Sequence, residues 1–162
     1  DRWTVGAATL RVLWPQRLIR GEGSDPNNAS VVVRADLGET SVLLAGDLET
    51  AAQEAVLALG EVTQVDVVKV PHHGSTTSST ADFVERLRPD VAVVSVGRSN
   101  PFGHPAPRVL QRYVDHGASV FRTDRDGAVT LDTDGTTMTL RGFTGRELHV
   151  AARTPAGEVE TQ

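Results

Sequence analysis

Short β-branched segments alternate with helix-forming segments through the middle of the chain, and this alternation constrains the fold more than any other feature. Residues 30–37 and 40–45 are rich in Val, Leu and Thr and flank Gly38-Glu39, which predicts a β-hairpin. The helices and strands predicted beyond this hairpin lie at 48–59, 66–70, 80–87 and 91–96. A hairpin followed by alternating strands and helices is typical of an α/β layered domain.

The two ends of the chain give weaker signals. A strand over 9–14 is predicted to stop at Pro15, and a polar loop is predicted over 21–28. After residue 105 a helix and three strands are predicted at 107–116, 119–122, 128–132 and 136–141. We therefore expect one domain over residues 1–145 and a flexible C-terminal tail over 146–162.

Composition and charge exclude several classes of protein and site. The 162 residues, 39% of them hydrophobic, suffice for one domain or for part of a larger one. The absence of cysteine excludes disulfides, thiolate zinc sites and a cysteine nucleophile. A net charge of −5 argues against binding nucleic acid through bulk charge. No apolar run reaches the roughly 18 residues that span a bilayer.

Polar side chains follow the ends of three predicted strands. Asp47 comes directly after Gly46, the pair His72 and His73 follows the next strand, and His104 follows the one after that. Because loops beyond the carboxyl ends of strands converge at one rim of an open α/β sheet, we expect these four side chains to face one cleft. Carboxylate and imidazole donors without thiolates suit zinc, manganese or iron.

Each of these residues also has a purely structural explanation. Asp47 precedes a predicted helix and would serve there as an N-cap. His104 lies between Gly and Pro and would fit a simple turn. The adjacent histidines are harder to explain in this way, because a loop offers them no core. His116 is expected to interact with the dipole at a helix C-terminus, and no role is expected for His149.

Other catalytic and binding motifs are weaker. The serines of residues 75–79 lie near the histidine pair and would suit a Ser-His hydrolase, but the chain contains no G-x-S-x-G motif. Glycine-rich phosphate-binding motifs are absent as well. Five arginines between residues 98 and 125 would suit a phosphate backbone. The spacing of Arg108 and Arg112 instead favours a solvated helix face.

Five short strings occur in order along the chain: NNASVVV (27–33), LLAGD (43–47), VKVPHHGS (68–75), NPFGHP (100–105) and RTDRDGA (122–128). Together they resemble the metallo-β-lactamase-like domain of ComEC-type DNA-uptake (competence) proteins, over residues 9–141. The Gly-Asp pair alone would be a weak signal, whereas its combination with PHHGS and GHP at these spacings is specific.

This resemblance implies an αββα sandwich with a dinuclear metal site of manganese or zinc. Asp47 would bridge the two metals, and one histidine of the adjacent pair would be a ligand. We expect His72 to be the ligand and His73 to support it or to contact substrate, although the reverse order stays open.

The resemblance also implies a nuclease that degrades the DNA strand not imported by a membrane channel. His104 would lie at the rim of the cleft, near the scissile phosphate, and would assist with protons or phosphate contacts together with His73. Ser75 and Asn100 are further candidate substrate contacts. The implied partners are DNA and the rest of the channel protein, with the domain on the outer face of the cytoplasmic membrane.

One departure from the family pattern affects the expected activity. The H-x-H-x-D-H motif that supplies most metal ligands is absent, and no histidine precedes His72. The chain therefore matches mainly the C-terminal half of the domain. Because its first residue is Asp1 rather than Met, we expect the motif upstream in the parent protein. As given, the chain should be nearly inactive and should self-associate through an exposed sheet edge.

Two alternatives remain open at this point. One is a metallo-β-lactamase-fold hydrolase acting on another phosphoester or on a lactone, which the negative net charge mildly favours. The other is a non-catalytic binding module that keeps the fold and has lost the metal site, in which case Asp47 is only a helix cap.

Overall fold

Seven strands form one large mixed sheet in the computed structural model, which describes residues 1–153. In spatial order they are Arg2–Val5 (β1), Ala8–Trp14 (β2), Val32–Leu37 (β3), Thr40–Leu44 (β4), Val67–Lys69 (β5), Val91–Val94 (β6) and Ser119–Arg122 (β7). The pairs from β1 to β4 are antiparallel, and those from β4 to β7 are parallel. The carboxyl ends of β4, β5, β6 and β7 therefore share one edge of the sheet.

Helices connect the parallel strands and cover one face of the large sheet. The helices are Asp25–Asn28 (α1), Thr50–Ala58 (α2), Ala81–Leu87 (α3), Pro107–Asp115 (α4) and Thr123–Asp126 (α5), and a 3₁₀ turn spans Pro71–Gly74. The larger core contains buried side chains from α2, α3 and α4, among them Val56, Phe83 and Tyr113, together with Val68 and Ala92 of the sheet. Within the described residues, no helix is long and apolar enough to cross a membrane.

A smaller antiparallel sheet packs on the opposite face of the large sheet. Its strands are Val129–Thr133 (β8), Thr137–Gly142 (β9) and Glu147–Ala151 (β10), in the order β10, β9, β8. Met138 and Leu140 of β9 form a second core with Val67, Val91 and Phe121 of the large sheet. Residues 1–153 thus supply a helical layer and two sheets, and the predicted α/β class is confirmed.

The outward face of the small sheet is polar. Arg141 of β9 pairs with Asp132 at 2.6 Å and with Glu147 at 3.3 Å, and His149 lies 2.9 Å from Glu147. Alternation of these residues with inward apolar ones is the expected pattern for an antiparallel sheet with one solvent-exposed face. His149 therefore belongs to a polar network on the surface.

Three sequence-based predictions need correction. The loop predicted over 21–28 contains α1, whose start is capped by the Ser24 hydroxyl, 3.4 Å from the N–H of Asn27. Strand β1, which pairs with β2, was not predicted. The tail predicted over 146–162 is wrong for residues 147–151, because β10 pairs with β9. Residues 154–162 lie outside the described residues.

Candidate functional site

The loops after β4, β5 and β6 meet at the shared carboxyl edge of the large sheet. The N–H of His72 donates to the carbonyl of Gly46 over 3.1 Å, which joins the first loop to the second. The N–H of Ala106 donates to the carbonyl of Gly74 over 2.9 Å, which joins the second loop to the third. These backbone bonds hold Asp47, the histidine pair and His104 at one place.

The two adjacent histidines adopt strained backbone conformations. His72 has φ 46° and His73 has φ 53°, in the left-handed region that residues other than glycine rarely occupy. Each such residue costs about 1–3 kcal/mol and persists only when its surroundings impose it. Gly74 follows with φ 80°, and a Cβ there would lie 2.6 Å from Cβ of Pro105. Close approach of the third loop therefore requires glycine at 74.

Both ring nitrogens of His73 face polar groups. Its Nδ1 lies 2.6 Å from the carbonyl oxygen of Ser95, and its Nε2 lies 3.6 Å from Oδ1 of Asp47. Because a carbonyl oxygen only accepts hydrogen bonds, Nδ1 carries the proton and donates it. In the neutral ring, Nε2 then presents a lone pair toward the carboxylate. A histidine whose other N–H donates to a carbonyl is the usual arrangement of a metal ligand.

Asp47 is not the N-cap of α2. That position belongs to Glu49, which makes no side-chain capping bond, while the N–H of Asp47 donates to the hydroxyl oxygen of Ser30 over 3.1 Å. The structural explanation of Asp47 as a helix cap is therefore wrong. Its carboxylate is partly exposed and lies 3.9 Å from Nζ of Lys69.

Glu49 is a buried carboxylate beneath His72 that the sequence analysis missed. It accepts hydrogen bonds from the N–H of Ser24 and from Nδ2 of Asn27, both at 3.0 Å, and lies 3.4 Å from Nδ1 of His72. Burial raises the pKa of Glu49, but the hydrogen bonds from Ser24 and Asn27 and the charge of His72 outweigh it, so that the pKa is lowered overall. Nδ1 of His72 is itself buried without a hydrogen-bond partner.

Lys69, also missed, brings a cation to the site. Its Nζ donates to the carbonyl of Gly46 over 3.0 Å, close to the carboxylate of Asp47. Burial lowers the pKa of Lys69, and the neighbouring Asp47 charge opposes that change. The signal available in the sequence was its place in the VKVPHHGS string, directly before the histidines.

His104 lies beside His72, with ring centroids 5.6 Å apart. Burial lowers the pKa of His104, and the charges of His72 and His73 lower it further. Asn100 fixes this residue: its Oδ1 accepts from the N–H of His104 over 3.0 Å, and its Nδ2 donates to the carbonyl of His104 over 2.8 Å. Asn100 therefore holds the loop closed, and its predicted substrate contact stays a prediction.

The serines of the second loop are structural. Ser75 is only 5% exposed, and its hydroxyl lies 3.1 Å from that of Thr77. Ser78 donates to the carbonyl of Pro71, and Ser79 bonds the hydroxyl of Tyr113. These contacts give no support to a Ser-His hydrolase, and the substrate contact predicted for Ser75 stays a prediction.

The remaining predicted residues lie away from this cluster. His116 follows α4, and its Nδ1 donates to the carbonyl of Arg112 over 2.8 Å, which confirms the expected place at a helix C-terminus. Arg108 donates to the carbonyl of Thr76 and Arg112 to that of Ser79. These arginines tie α4 to the second loop.

The donors fit a metal ion in kind but not in number. Carboxylate and imidazole together suit zinc or manganese, and Nε2 of His73, whose Nδ1 donates to the carbonyl of Ser95, lies 3.6 Å from the Asp47 carboxylate. Within residues 1–153, however, no three His, Asp or Glu side chains are arranged to hold a metal. The described residues therefore provide at most part of a ligand set.

Comparison with known proteins agrees with this arrangement. A model of the metallo-beta-lactamase superfamily matches residues 17–98. The chain is 38% identical over 111 residues to ComE operon protein 3 of Bacillus subtilis, which covers 67% of this chain and 14% of that protein. It is 37% identical over 130 residues to competence protein ComA of Neisseria gonorrhoeae, and the match covers 80% of this chain and 18% of that protein.

Recombination protein 2 of Haemophilus influenzae is 39% identical over 106 residues, or 65% of this chain and 13% of that protein. The chain thus spans less than a fifth of the length of each of these relatives. The matched residues include the loop with Asp47 and the loop with the two strained histidines. The chain therefore belongs to the metallo-beta-lactamase superfamily and, within it, is similar to a segment of ComEC-type competence proteins.

Proposed function

We propose that this chain is part of a metal-dependent phosphodiesterase domain that cleaves DNA in a DNA-uptake protein, where it degrades the strand that is not imported. The observation that carries the proposal is the convergence of Asp47, His72, His73 and His104, with both adjacent histidines held in left-handed backbone. Strained, closely packed titratable residues at a loop edge are typical of active sites. One of these relatives is named a competence protein, which supports DNA as the substrate.

The metal would be held in part by Asp47 and by one of the adjacent histidines. The hydrogen bond from Nδ1 of His73 to Ser95 supports His73 as the ligand, the reverse of the order expected from the sequence. His72 would then be a second imidazole donor, backed by Glu49. Metallo-beta-lactamase domains generally bind divalent metals. When bound, manganese or zinc would supply an activated water and stabilise negative charge on the phosphate.

His104 suits a role in proton transfer or phosphate contact. Its lowered pKa keeps the imidazole neutral near pH 7, so that it can accept a proton. Asn100 fixes the backbone that carries this ring. The remaining ligands, the membrane channel as partner and a location on the outer face of the membrane all belong to the proposal for the parent protein.

Calorimetric titration of this chain with manganese and with zinc tests the ligand assignment. Asp47→Ala and His73→Ala should abolish binding, His72→Ala should weaken it, and His149→Ala, on the small sheet, should leave it unchanged. Loss of metal binding in His72→Ala, with metal binding unchanged in His73→Ala, would show that His72 is the ligand, as expected from the sequence.

The nuclease activity is tested on the parent protein. With manganese it should hydrolyse single-stranded DNA, and Asp47→Ala should remove that activity while this chain alone stays nearly inactive. Turnover of small phosphodiesters or lactones without turnover of DNA would show that DNA is not the substrate. The same active site would then act on another phosphoester or on a lactone.

A non-catalytic binding module is the second candidate. The lack of a three-donor group within residues 1–153 favours it. In that case Asp47→Ala would change no metal affinity in the parent protein, and the parent would bind DNA without cleaving it.

A further inference from the structure

A large aromatic side chain stands exposed beside the candidate site. Phe102 is 77% exposed, although burying a phenylalanine side chain normally stabilises a protein. Its ring is stacked on that of His104, with centroids 6.0 Å apart and an interplanar angle of 19°. The ring therefore lies parallel to a histidine of the site, with most of its surface open.

The loop that carries Phe102 is fixed at both ends. Asn100 bonds both backbone groups of His104, and its own N–H donates to the carbonyl of Gly97 over 3.2 Å. On the other side of the loop, Pro105 fits closely against Gly74. An aromatic side chain has few rotatable bonds, so on a fixed loop it loses little conformational entropy when it binds a ligand.

Phe102 forms one wall of an open pocket of about 430 Å³. The other walls are residues that follow the ends of β5, β6 and β7: His73, Ser95, Val96, Gly97, His104 and Thr123, together with Asn100. None of the residues that line the pocket in the described structure is acidic, although the chain carries a net charge of −5. The pocket can therefore accept a ligand attached to phosphate without charge repulsion from its walls.

Several polar backbone groups of the pocket already have hydrogen-bond partners. The N–H of Val96 donates to Oγ1 of Thr123 over 2.7 Å, and the Thr123 hydroxyl donates to the carbonyl of Val96 over 2.8 Å. The carbonyl of Ser95 accepts from His73. Few groups are left to read the hydrogen-bonding edge of a base, whereas the aromatic plane remains available for stacking.

Deepening the function proposed above, and resting on it, we infer that the pocket between Phe102 and His73 is a stacking subsite for one nucleobase of a single DNA strand. His73 lines both this pocket and the Asp47 cluster, so a base stacked on Phe102 places its own phosphate next to the candidate metal ligands. Base stacking on an aromatic ring tolerates any base. The subsite therefore contributes affinity for an unpaired strand without sequence preference.

Fluorescence anisotropy at low salt, with labelled oligonucleotides and the full chain, tests the subsite. Phe102→Ala should lower the affinity for single-stranded dT, dA and dC oligomers by roughly 5- to 150-fold, the range measured for loss of one base stack. Phe102→Trp should retain the affinity. Phe143→Ala removes an equally exposed phenylalanine, 86% exposed, that does not line the pocket, and should have no effect.

Three further ligands, an abasic oligomer, a duplex and free dTMP, distinguish base stacking within a strand from binding through the phosphates or through a free nucleotide. An abasic oligomer and a duplex should bind weakly and equally to the wild-type chain and to Phe102→Ala. Dependence on Phe102 for free dTMP but not for oligomers would overturn the assignment to a DNA strand. Urea unfolding should show unchanged stability for Phe102→Ala, because that ring is largely outside the core.

The inference and the proposed function fail in different ways. Oligonucleotide binding that is the same in the wild-type chain and in Phe102→Ala would overturn the subsite and leave nuclease activity of the parent protein standing. Absence of DNA hydrolysis by the parent, with Phe102-dependent binding intact, would overturn the nuclease and leave the subsite.

Discussion

Nε2 of His73 lies 3.6 Å from Oδ1 of Asp47, although the two residues follow different strands of the large sheet. The opposite nitrogen of the same ring is held by the carbonyl of Ser95, beyond a third strand. One imidazole thus connects three loops that the parallel strands bring to a common edge. Its position depends on how closely those loops approach, and the approach depends on Gly74.

Gly74→Ala should destabilise the fold by more than the cost of its backbone conformation. The positive φ alone costs about 1–2 kcal/mol for alanine, and the overlap with Pro105 should add about 1–3 kcal/mol. Urea unfolding measures the total. The same substitution should lower metal binding, because the histidine loop must move.

Gly60→Ala is the matched control. Gly60 also has a positive φ, 72°, but a Cβ there meets nothing within 4 Å. It should therefore show the conformational cost without the overlap and should not affect metal binding. Equal free energies of unfolding for the two variants would show that the contact between Gly74 and Pro105 carries no energy.

Glu49→Gln should destabilise the chain by about 1–3 kcal/mol, because a charge-assisted acceptor is replaced by a group that cannot accept all of the same bonds. The N–H of Ser24 and the amide of Asn27 both donate to this buried carboxylate. Denaturant unfolding gives the difference. Glu54→Gln on the exposed side of α2 is the control and should stay within about 0.5 kcal/mol of the wild type. A similar small effect at Glu49 would contradict the role of its hydrogen bonds.

Local signals were sufficient to predict most of the fold. The hairpin around Gly38 and the buried strands β5 and β6 have strong patterns, because β-branched runs and a turn glycine act within a few residues. Strand β1 has no buried residue to mark it. Strand β10 is only half-buried, and its inward Leu148 and Val150 alternate with exposed residues, so that its identity depends on pairing with β9.

The candidate site was predicted only where it follows strand ends. Asp47 and the histidines come directly after buried strands, so the topology rule for parallel sheets was enough to bring them together. Glu49 could not be found in this way, because its hydrogen-bond donors are the N-cap and a residue of α1, a helix predicted as loop from the sequence. Contacts between distant segments have no local sequence signal.

Tyr113 and Ser79 should be energetically coupled. The Tyr113 hydroxyl is fully buried and lies 2.9 Å from the Ser79 hydroxyl, and burial raises the pKa of this phenol. Tyr113→Phe leaves the serine hydroxyl unpaired and should cost about 1–3 kcal/mol. The double variant Tyr113→Phe/Ser79→Ala should cost less than the sum of the single changes, measured by urea unfolding. Strict additivity would show that the two hydroxyls do not interact.

His116 should make the stability of the chain depend on pH. Its pKa is raised above the ordinary 6.5, first by the carbonyl of Arg112 at the end of α4 and then by the side chain of Glu85. A group with a raised folded pKa stabilises the fold fully below its unfolded pKa and loses that effect as the pH rises through the folded value. The charged histidine at a helix C-terminus should contribute about 0.3–1 kcal/mol.

The difference in unfolding free energy between the wild type and His116→Ala should therefore be larger near pH 5.5 than near pH 8.5. The variant Glu85→Gln separates the effect of the Glu85 carboxylate on the pKa of His116 from that of the helix end, because it keeps the bond from His116 to the carbonyl of Arg112. In that variant the pKa of His116, followed by NMR titration, should fall toward its ordinary value without reaching it. An unchanged pKa would show that Glu85, exposed on α3, does not act on the imidazole, and a pH-independent difference in stability would contradict the role of the helix end as well.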